Sequence, residues 1–270
     1  MIKIVDLNTI KSILPKVDLI NEIEKGFVAY SNGEVVVPPV GELSFDSPPG
    51  DVHIKYGYIK NDDIYVIKIA SGFYKNSEFD LPTGNGMIMV FDQKNGRPIA
   101  VLNDECYLTD VRTAIAGAIC AKYFSPKNIN RIGIIGTGVQ ARMQLRYLQG
   151  VVDCNNALVW GRNSDSLDKF EKDMKNSEFA ISTTTNLDEV INDCRLIVTC
   201  TPSEMPLINS VNEGTHITAM GSDTVQKQEL DPNILLKADL IISDSRSQST
   251  DRGEIHHALK DGLVMDSVIE

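Results

Sequence analysis

The chain has 270 residues, enough for two domains of ordinary size, with 42% apolar and 23% charged residues, the proportions of a globular protein. Its net charge of −11 excludes the basic surface that non-specific nucleic-acid binding needs. No run approaches the roughly 18 apolar residues of a membrane span, and Met1-Ile2-Lys3-Ile4-Val5-Asp6 lacks the cationic-then-apolar order of a signal peptide, so no membrane partner and a cytoplasmic location are expected.

Residues 2–5 read as a short strand, after which Asp6 or Asn8 can cap a helical turn that Pro15 breaks. From Asp18, Ile20, Ile23, Phe27 and Tyr30 recur at three- and four-residue spacing and predict a helix that Asn32-Gly33 closes. Residues 35–106 are β-rich, with turns at Pro38-Pro39, Pro48-Pro49-Gly50, Asn61-Asp62-Asp63 and Asn95-Gly96, and imply a mixed or antiparallel sheet. An Ala- and Ile-rich helix from about Asp110 to Tyr123 reads as a buried connector between domains.

From Arg131 the pattern alternates regularly. Apolar strands are expected at 132–135, 157–160, 180–183, 196–200, 216–220 and 239–243, with helices at 139–149, 164–175, 187–193 and 228–237. The fold class is therefore α/β, a Rossmann-type doubly wound parallel sheet beside an α+β domain. The expected boundaries are 1–117 for a substrate-binding and dimerisation domain and 118–270 for a dinucleotide-binding domain.

The strand 132–135 runs into Gly136-Thr137-Gly138-Val139-Gln140-Ala141, the pattern G-x-G-x-x-A. Gly136 permits the tight turn, Gly138 lets backbone approach a pyrophosphate, and the small Ala141 lets helix and strand pack closely. The free N–H groups and dipole of the following helix favour phosphates. A glycine-rich turn that merely joins strand to helix is the alternative. Gly161-Arg162-Asn163-Ser164 follow the second strand, where an acidic residue would select NAD. Arg162 can offer a forked donor to a 2′-phosphate, with Asn163 and Ser164 as neutral donors, and Ser164 can cap the next helix. NADP(H) is therefore favoured over NAD(H), although Arg162 stacking on adenine or lying in solvent, and Asp165 nearby, keep NAD open. Thr201-Pro202 and Met220-Gly221-Ser222-Asp223 end two further strands at the edge where open α/β sheets bind ligands.

The five cysteines form no C-x-x-C pair and the four histidines lack zinc spacing, so reduced, mostly buried thiols and no metal are expected.

Several stretches in order resemble the ornithine cyclodeaminase/mu-crystallin family: Lys68–Asn76, Leu81-Pro82-Thr83-Gly84, Leu108–Ala114, the glycine turn with Gln140-Ala141, and Gly221-Ser222-Asp223 followed by Lys227 and Glu229-Leu230. The resemblance implies a homodimer in which a substrate domain faces a Rossmann domain, with the site in the cleft between them. It implies that Lys68 and Arg112 hold a substrate carboxylate, that Thr83 and Thr113 lie near substrate or cofactor phosphates, and that Asp223 handles the substrate amine. Residue chemistry agrees: arginine clamps a carboxylate bidentately, lysine adds charge or a proton, and Asp223 can move a proton as hydride moves. The duller readings are ion pairs within the fold or surface charges for Lys68 and Arg112, and a helix cap for Asp223.

Departures from the family pattern guide the rest. Gly161-Arg162 replaces the acidic residue with which ornithine cyclodeaminases hold NAD. Val40 follows Pro38-Pro39, where many members carry a further arginine. His53–Tyr58 looks closer to a branch associated with ectoine utilisation and puts Lys55 roughly where the ornithine enzymes have an acid, which suits an acidic or neutral substrate better than a diamino acid. Members usually continue some tens of residues beyond the counterpart of Glu270, so the family's C-terminal return segment is expected to be absent. The leading expectation is an NAD(P)(H)-dependent reductase of a small imino acid, with Lys68 and Asp223 as catalytic candidates. A cyclodeaminase with bound NAD and a non-catalytic dinucleotide-binding protein are the rivals.

Overall fold

The computed structural model describes residues 2–270, and all side chains among them except those of Tyr74 and Ser77. The chain divides into two units, Met1–Arg112 and Thr113–Glu270.

In the first unit, Lys3–Asp6 forms strand β1, and the Asp6 carboxylate accepts from Thr9 N at 2.8 Å to cap helix α1, Leu7–Ile13. Pro15 does not simply end this helix; it sits at the start of a tight 3-10 turn, Leu14–Lys16, where its missing N–H is harmless. Asp18 caps helix α2, Leu19–Ser31, and Gly33 beyond it takes the left-handed φ of +72° that the glycine stop requires. Strands β2 (Val35–Val36), β3 (Gly41–Asp46), β4 (Pro49–Ile59), β5 (Ile64–Phe73), β6 (Gly84–Asp92) and β7 (Pro98–Asn103) follow. The sheet order is β1-β7-β6-β5-β4-β2, with β3 also on β4; only β1–β7 is parallel.

The register sorts this sheet into two unlike faces. Lys55, Lys68, Ile88 and Leu102 lie in one cross-strand row, and Tyr56, Ile67, Met89 and Val101 in the next, pointing the other way. The second face is aromatic and apolar: Tyr65 stacks on Phe91 at 4.8 Å, Phe45 lies 5.5 Å from Phe73, and Leu43, Phe45, Tyr56, Tyr58 and Met87 are exposed.

The next helix, α3, spans Tyr107–Phe124 and crosses the division between the units. It begins three residues before Asp110, because buried Asp104 accepts from Leu108 N at 2.9 Å. Glu105 and Cys106 take φ of +53° and +67° to turn the chain there.

The second unit alternates as its periodicity dictates: β8 (Ile132–Ile135), α4 (Val139–Leu148), β9 (Asn156–Trp160), α5 (Ser164–Met174), β10 (Ala180–Thr184), α6 (Leu187–Asp193), β11 (Leu196–Thr199) and β12 (His216–Ala219). The strands are parallel in the order β10-β9-β8-β11-β12, so the winding reverses between β8 and β11. Both faces are covered. Ile132, Ile134, Leu145, Phe170 and Val198 belong to one core cluster, and Ile135, Leu158, Ile197, Ile208 and Leu230 to the other.

Two expectations fail downstream. The helix read over 228–237 is only Pro232–Lys237 (α7), capped by Asp231 with Pro232 at its first position; Gln228–Leu230 is extended instead, and Leu230 bridges Ile208. The strand read over 239–243 is only Ile241–Ile242 (β13). It pairs with Val268–Ile269 (β14) after helices α8 (Arg246–Asp251) and α9 (Gly253–Lys260), in a separate small sheet. No helix among the described residues is long and apolar enough to cross a membrane.

Candidate functional site

In the second unit the site is built where the sheet reverses. Gly136, at φ +125°, turns β8 toward α4, and a Cβ there would lie 2.7 Å from the Cys200 carbonyl. Gly138 is exposed as the N-cap of α4, and a Cβ on it would meet nothing within 4 Å, so the approach to the first N–H groups of the helix, from Val139 and Gln140, is open. Ala141 is fully buried, the close helix–strand contact its size allows. This cradle fits the pyrophosphate of a dinucleotide. Arg142 braces it: Nη1 donates to the carbonyls of Thr137 and, at 2.9 Å, Gly138, while Nη2 pairs with Asp173 at 2.9 Å. Thr113 lies on α3, its carbonyl accepting from Gln144 of α4 at 3.2 Å.

Gly161 is buried, and a Cβ there would sit 2.8 Å from Thr137 Cγ2 and 2.9 Å from Leu167 Cδ2. A side chain at this position would therefore require the Thr137 and Leu167 side chains to shift. Arg162 follows, exposed. Asn163, not Ser164, caps α5: its Oδ1 accepts from Ser166 N at 2.9 Å and from the Ser166 hydroxyl at 2.8 Å, while Ser164 is the first helical residue.

The ends of β11 and β12 are tied together by Glu229, which sequence reasoning had quoted without a role. Fully buried, its carboxylate accepts from Thr199 Oγ1 (2.7 Å), Thr201 N (2.6 Å), Thr201 Oγ1 (2.7 Å) and Gly221 N (2.9 Å). A Cβ on Gly221 would lie 2.3 Å from the Thr201 carbonyl and 2.5 Å from Glu229 Oε2. Glu254 of α9 accepts in turn from Glu229 N at 2.6 Å and Leu230 N at 3.1 Å, and burial pushes it up to about 7. Glu229 stands in a stretch that resembles the family but carried no role there, and its contacts, like those of Glu254 and Arg142, reach across up to 31 positions of chain, so the folded register reveals what they do.

Pro202 is exposed and Met220 half-buried at these strand ends, and the Ser222 hydroxyl donates to the Lys227 carbonyl. Asp223 is exposed and accepts from Lys227 Nζ at 2.7 Å.

In the first unit, Lys55 on β4 directly opposes Lys68 on β5. Lys68 is half-buried; that burial, then the charges of Lys55 and Arg112, push it down to about 8, against Cys106 and Asp104. Arg112 sits 5.7 Å from the centre of the Phe27 ring. Thr83 is exposed, its carbonyl accepting from Phe73 N at 2.8 Å. Lys55, Lys68 and Arg112 thus form one cationic group, suited to an acid ligand.

All five cysteines are free; Cys154 and Cys194 are buried. Among the described residues, no group of three or more His, Cys, Asp or Glu is arranged to hold a metal ion.

Comparison with known proteins agrees with this architecture. The model of the ornithine cyclodeaminase/mu-crystallin family matches residues 3–268. The chain is 36% identical over 267 residues to an uncharacterized cyclodeaminase of Sinorhizobium fredii, covering 97% of this chain and 81% of that protein. An archaeal alanine dehydrogenase dimer with bound NAD superposes with a TM-score of 0.88 at 29% identity, over 99% of this chain and 82% of that one. The iminosuccinate reductase of Paracoccus denitrificans in complex with NAD+ gives a TM-score of 0.86 at 26% identity, over 100% and 84%. The chain belongs to the ornithine cyclodeaminase/mu-crystallin family.

Proposed function

We propose that the protein is an NADP(H)-dependent reductase of a small imino acid, working on the imine/amino-acid couple. The observation that carries the reading is the cationic group of Lys55, Lys68 and Arg112, encoded with a dinucleotide cradle in one chain. Gly136, Gly138 and the first N–H groups of α4, from Val139 and Gln140, would hold the pyrophosphate, with Thr137 and Thr113 beside it. Arg162, with Asn163 and Ser164, would hold the 2′-phosphate, since Gly161 leaves no acidic residue to repel it. Thr201, Pro202, Met220, Gly221 and Ser222 would line the nicotinamide end, in the geometry Glu229 imposes. When bound, the reduced nicotinamide supplies a hydride to the imine carbon. Lys68 and Arg112 clamp the α-carboxylate, Thr83 lies by the substrate, and Asp223 or Lys68 gives the imine nitrogen its proton. The first domain, 1–117, carries the substrate and the second, 118–270, the cofactor.

A homodimer in the cytoplasm is the proposed state. Its support is the exposed apolar face of Leu43, Phe45, Tyr56, Tyr58 and Met87, a set of large apolar side chains on one side of the sheet, as interaction surfaces show, together with the dimeric alanine dehydrogenase relative.

The test is absorbance at the reduced-nicotinamide band with purified protein, NADPH or NADH, and a panel of cyclic and acyclic imino acids. Oxidation of NADPH in preference to NADH is expected, and Arg162→Ala should raise the KM for NADPH about tenfold while sparing NADH. Ammonia release from a diamino acid with no net change in the cofactor would replace the reductase by a cyclodeaminase. Cofactor binding without turnover of any substrate would leave a binding protein.

A further inference from the structure

Beneath the ends of β11 and β12 lie two acids without a counter-ion. Glu229 and Glu254 are both buried, and among the described residues no lysine, arginine or histidine forms an ion pair with either carboxylate. A buried charge is costly unless something of opposite sign comes to it.

The two acids are not equivalent. Oε1 of Glu229 accepts from Thr201 N and Thr201 Oγ1, and Oε2 from Thr199 Oγ1 and Gly221 N. Those four donors fill the lone-pair sites of a carboxylate and leave no place for a proton, so Glu229 stays ionised. Glu254 accepts from Glu229 N and Leu230 N, one bond to each oxygen, with the Ser222 hydroxyl beside it, so a lone-pair site remains for a proton. Burial pushes Glu254 up to about 7, and the Glu229 charge acts in the same direction. The pair therefore carries one negative charge below neutrality and two above it.

This charge is pressed against the backbone of the strand ends. Thr201 N and Gly221 N donate to Glu229 itself, and a Cβ on Gly221 would lie 2.5 Å from Glu229 Oε2, so no side chain spaces the carboxylate from that turn. The surrounding titratable groups do not supply the missing cation. After β11, burial keeps the Cys200 thiol protonated. After β12, Lys227 is spent on Asp223 at 2.7 Å. On α9, His257 donates from Nε2 to the Lys227 carbonyl at 3.0 Å, and burial pulls it down toward the neutral form. Arg252, the N-cap of α9, is engaged within the fold. Of the helices packed on α9, α8 carries Asp251 and Arg246, the latter 3.8 Å from Asp266, and α7 carries Lys237 and its cap Asp231.

An oxidised nicotinamide ring is positively charged, and a reduced one is neutral. Resting on the reading above, which seats that ring at these strand ends, we propose that Glu229 and Glu254 determine which redox form of the dinucleotide this protein holds, the pair serving as counter-charge to the oxidised ring and the proton on Glu254 setting its strength. Binding of the oxidised form then sends the Glu254 proton to solvent, whereas binding of the reduced form leaves it in place.

Binding tests this without turnover. The dissociation constants of NADP+ and NADPH are measured by titration at about pH 6 and about pH 8, and those of NAD+ and NADH if the protein takes that pair. A unit charge felt across the strand ends is worth about tenfold in affinity at the effective dielectric constant of a protein. The ratio of Kd for the oxidised form to Kd for the reduced form should therefore fall about fivefold over that range in the parent. In Glu254→Gln, which cannot ionise, the ratio should stay at its low-pH value; in His257→Gln the fall should persist. A merely structural Glu254 would weaken both forms alike and leave the ratio as pH-dependent as in the parent. Should Glu254→Gln not fold, calorimetry of the parent in two buffers of different ionisation enthalpy counts the protons: the oxidised form should release about half a proton more than the reduced form at about pH 6.5. The 2′-phosphate is common to both forms and cancels. A ratio that does not move with pH, a fall that survives Glu254→Gln, or equal proton counts overturn the assignment and leave the reductase to its own assay. The predicted shift in a protein that turns over no imine upholds the pair and removes the reductase. Failure to bind any of the four dinucleotides removes the cradle and this assignment together.

Discussion

The two units keep their chemistry in different kinds of place. In Thr113–Glu270 it lies in turns at the ends of strands buried on both faces. In Met1–Arg112 the candidate lysines lie in the middle of strands, on one face of a sheet in a unit whose buried apolar side chains, among the described residues, are Ile10 of α1 and Val111 of α3. A turn declares itself by residue type, because only glycine takes φ +125° at Gly136. A mid-strand site declares itself by partner, and the partner is a matter of register. Lys68 alone is one lysine in an apolar run; opposite Lys55 it is half of a cation pair.

That contrast explains what could be read beforehand. The glycine turn, the strand–helix alternation, the cap at Asp6 and the helix start at Asp18 are local, and they stand where the pattern put them. The helix read over 228–237 misled because Gln228–Leu230 has helical spacing but is pulled into extended form by contacts with Ser203, Leu207 and Ile208. Glu229 lies in that same stretch, so its role was hidden by the same long-range pairing. Ser164 was read as a cap because serine suits the position, and Asn163 one residue earlier takes it.

The largest expected effect is at Lys68. Lys68→Met should lower kcat/KM for an imino acid by about 1,000-fold, the loss of a partly buried charge-assisted contact, and leave cofactor affinity within about twofold. The same ammonium gives a pH signature. Held near 8, it loses its proton as pH rises through that value, so kcat/KM for a preformed cyclic imine should fall above about pH 8. Lys68→Arg should move that limb beyond about pH 10, because guanidinium stays charged. A limb unmoved by the substitution would assign the titration elsewhere.

In the second unit, Glu229→Gln places amide hydrogens against Thr201 N or Gly221 N. We expect a loss of about 2–4 kcal/mol in urea unfolding and weaker cofactor binding, with the imine KM changed less. A variant as stable as the parent would show that the two strand ends hold themselves.

The smallest effect concerns Glu254. Its folded value, about 7, lies above the ordinary 4.5, so its contribution to stability is complete below about pH 4.5 and is lost as pH rises through about 7. The stability of the parent relative to Glu254→Gln should therefore fall between pH 5 and pH 8, by on the order of 1–3 kcal/mol. His216, pulled down to about 4 by burial, acts in the opposite direction and cancels, being common to both proteins. Melting curves of the two proteins across that range give the answer, and a constant difference would mean that Glu254 does not titrate there.

Transfer of a hydride from a dinucleotide to the α-carbon of an imino acid is the step on which the proposed function rests. NADPH carrying deuterium at the transferable position of C4 tests it, with mass spectrometry of the amino acid formed. One deuterium at the α-carbon and one oxidised cofactor are expected for each amino acid produced. An amino acid without label, or ammonia released with the cofactor unchanged, would contradict it.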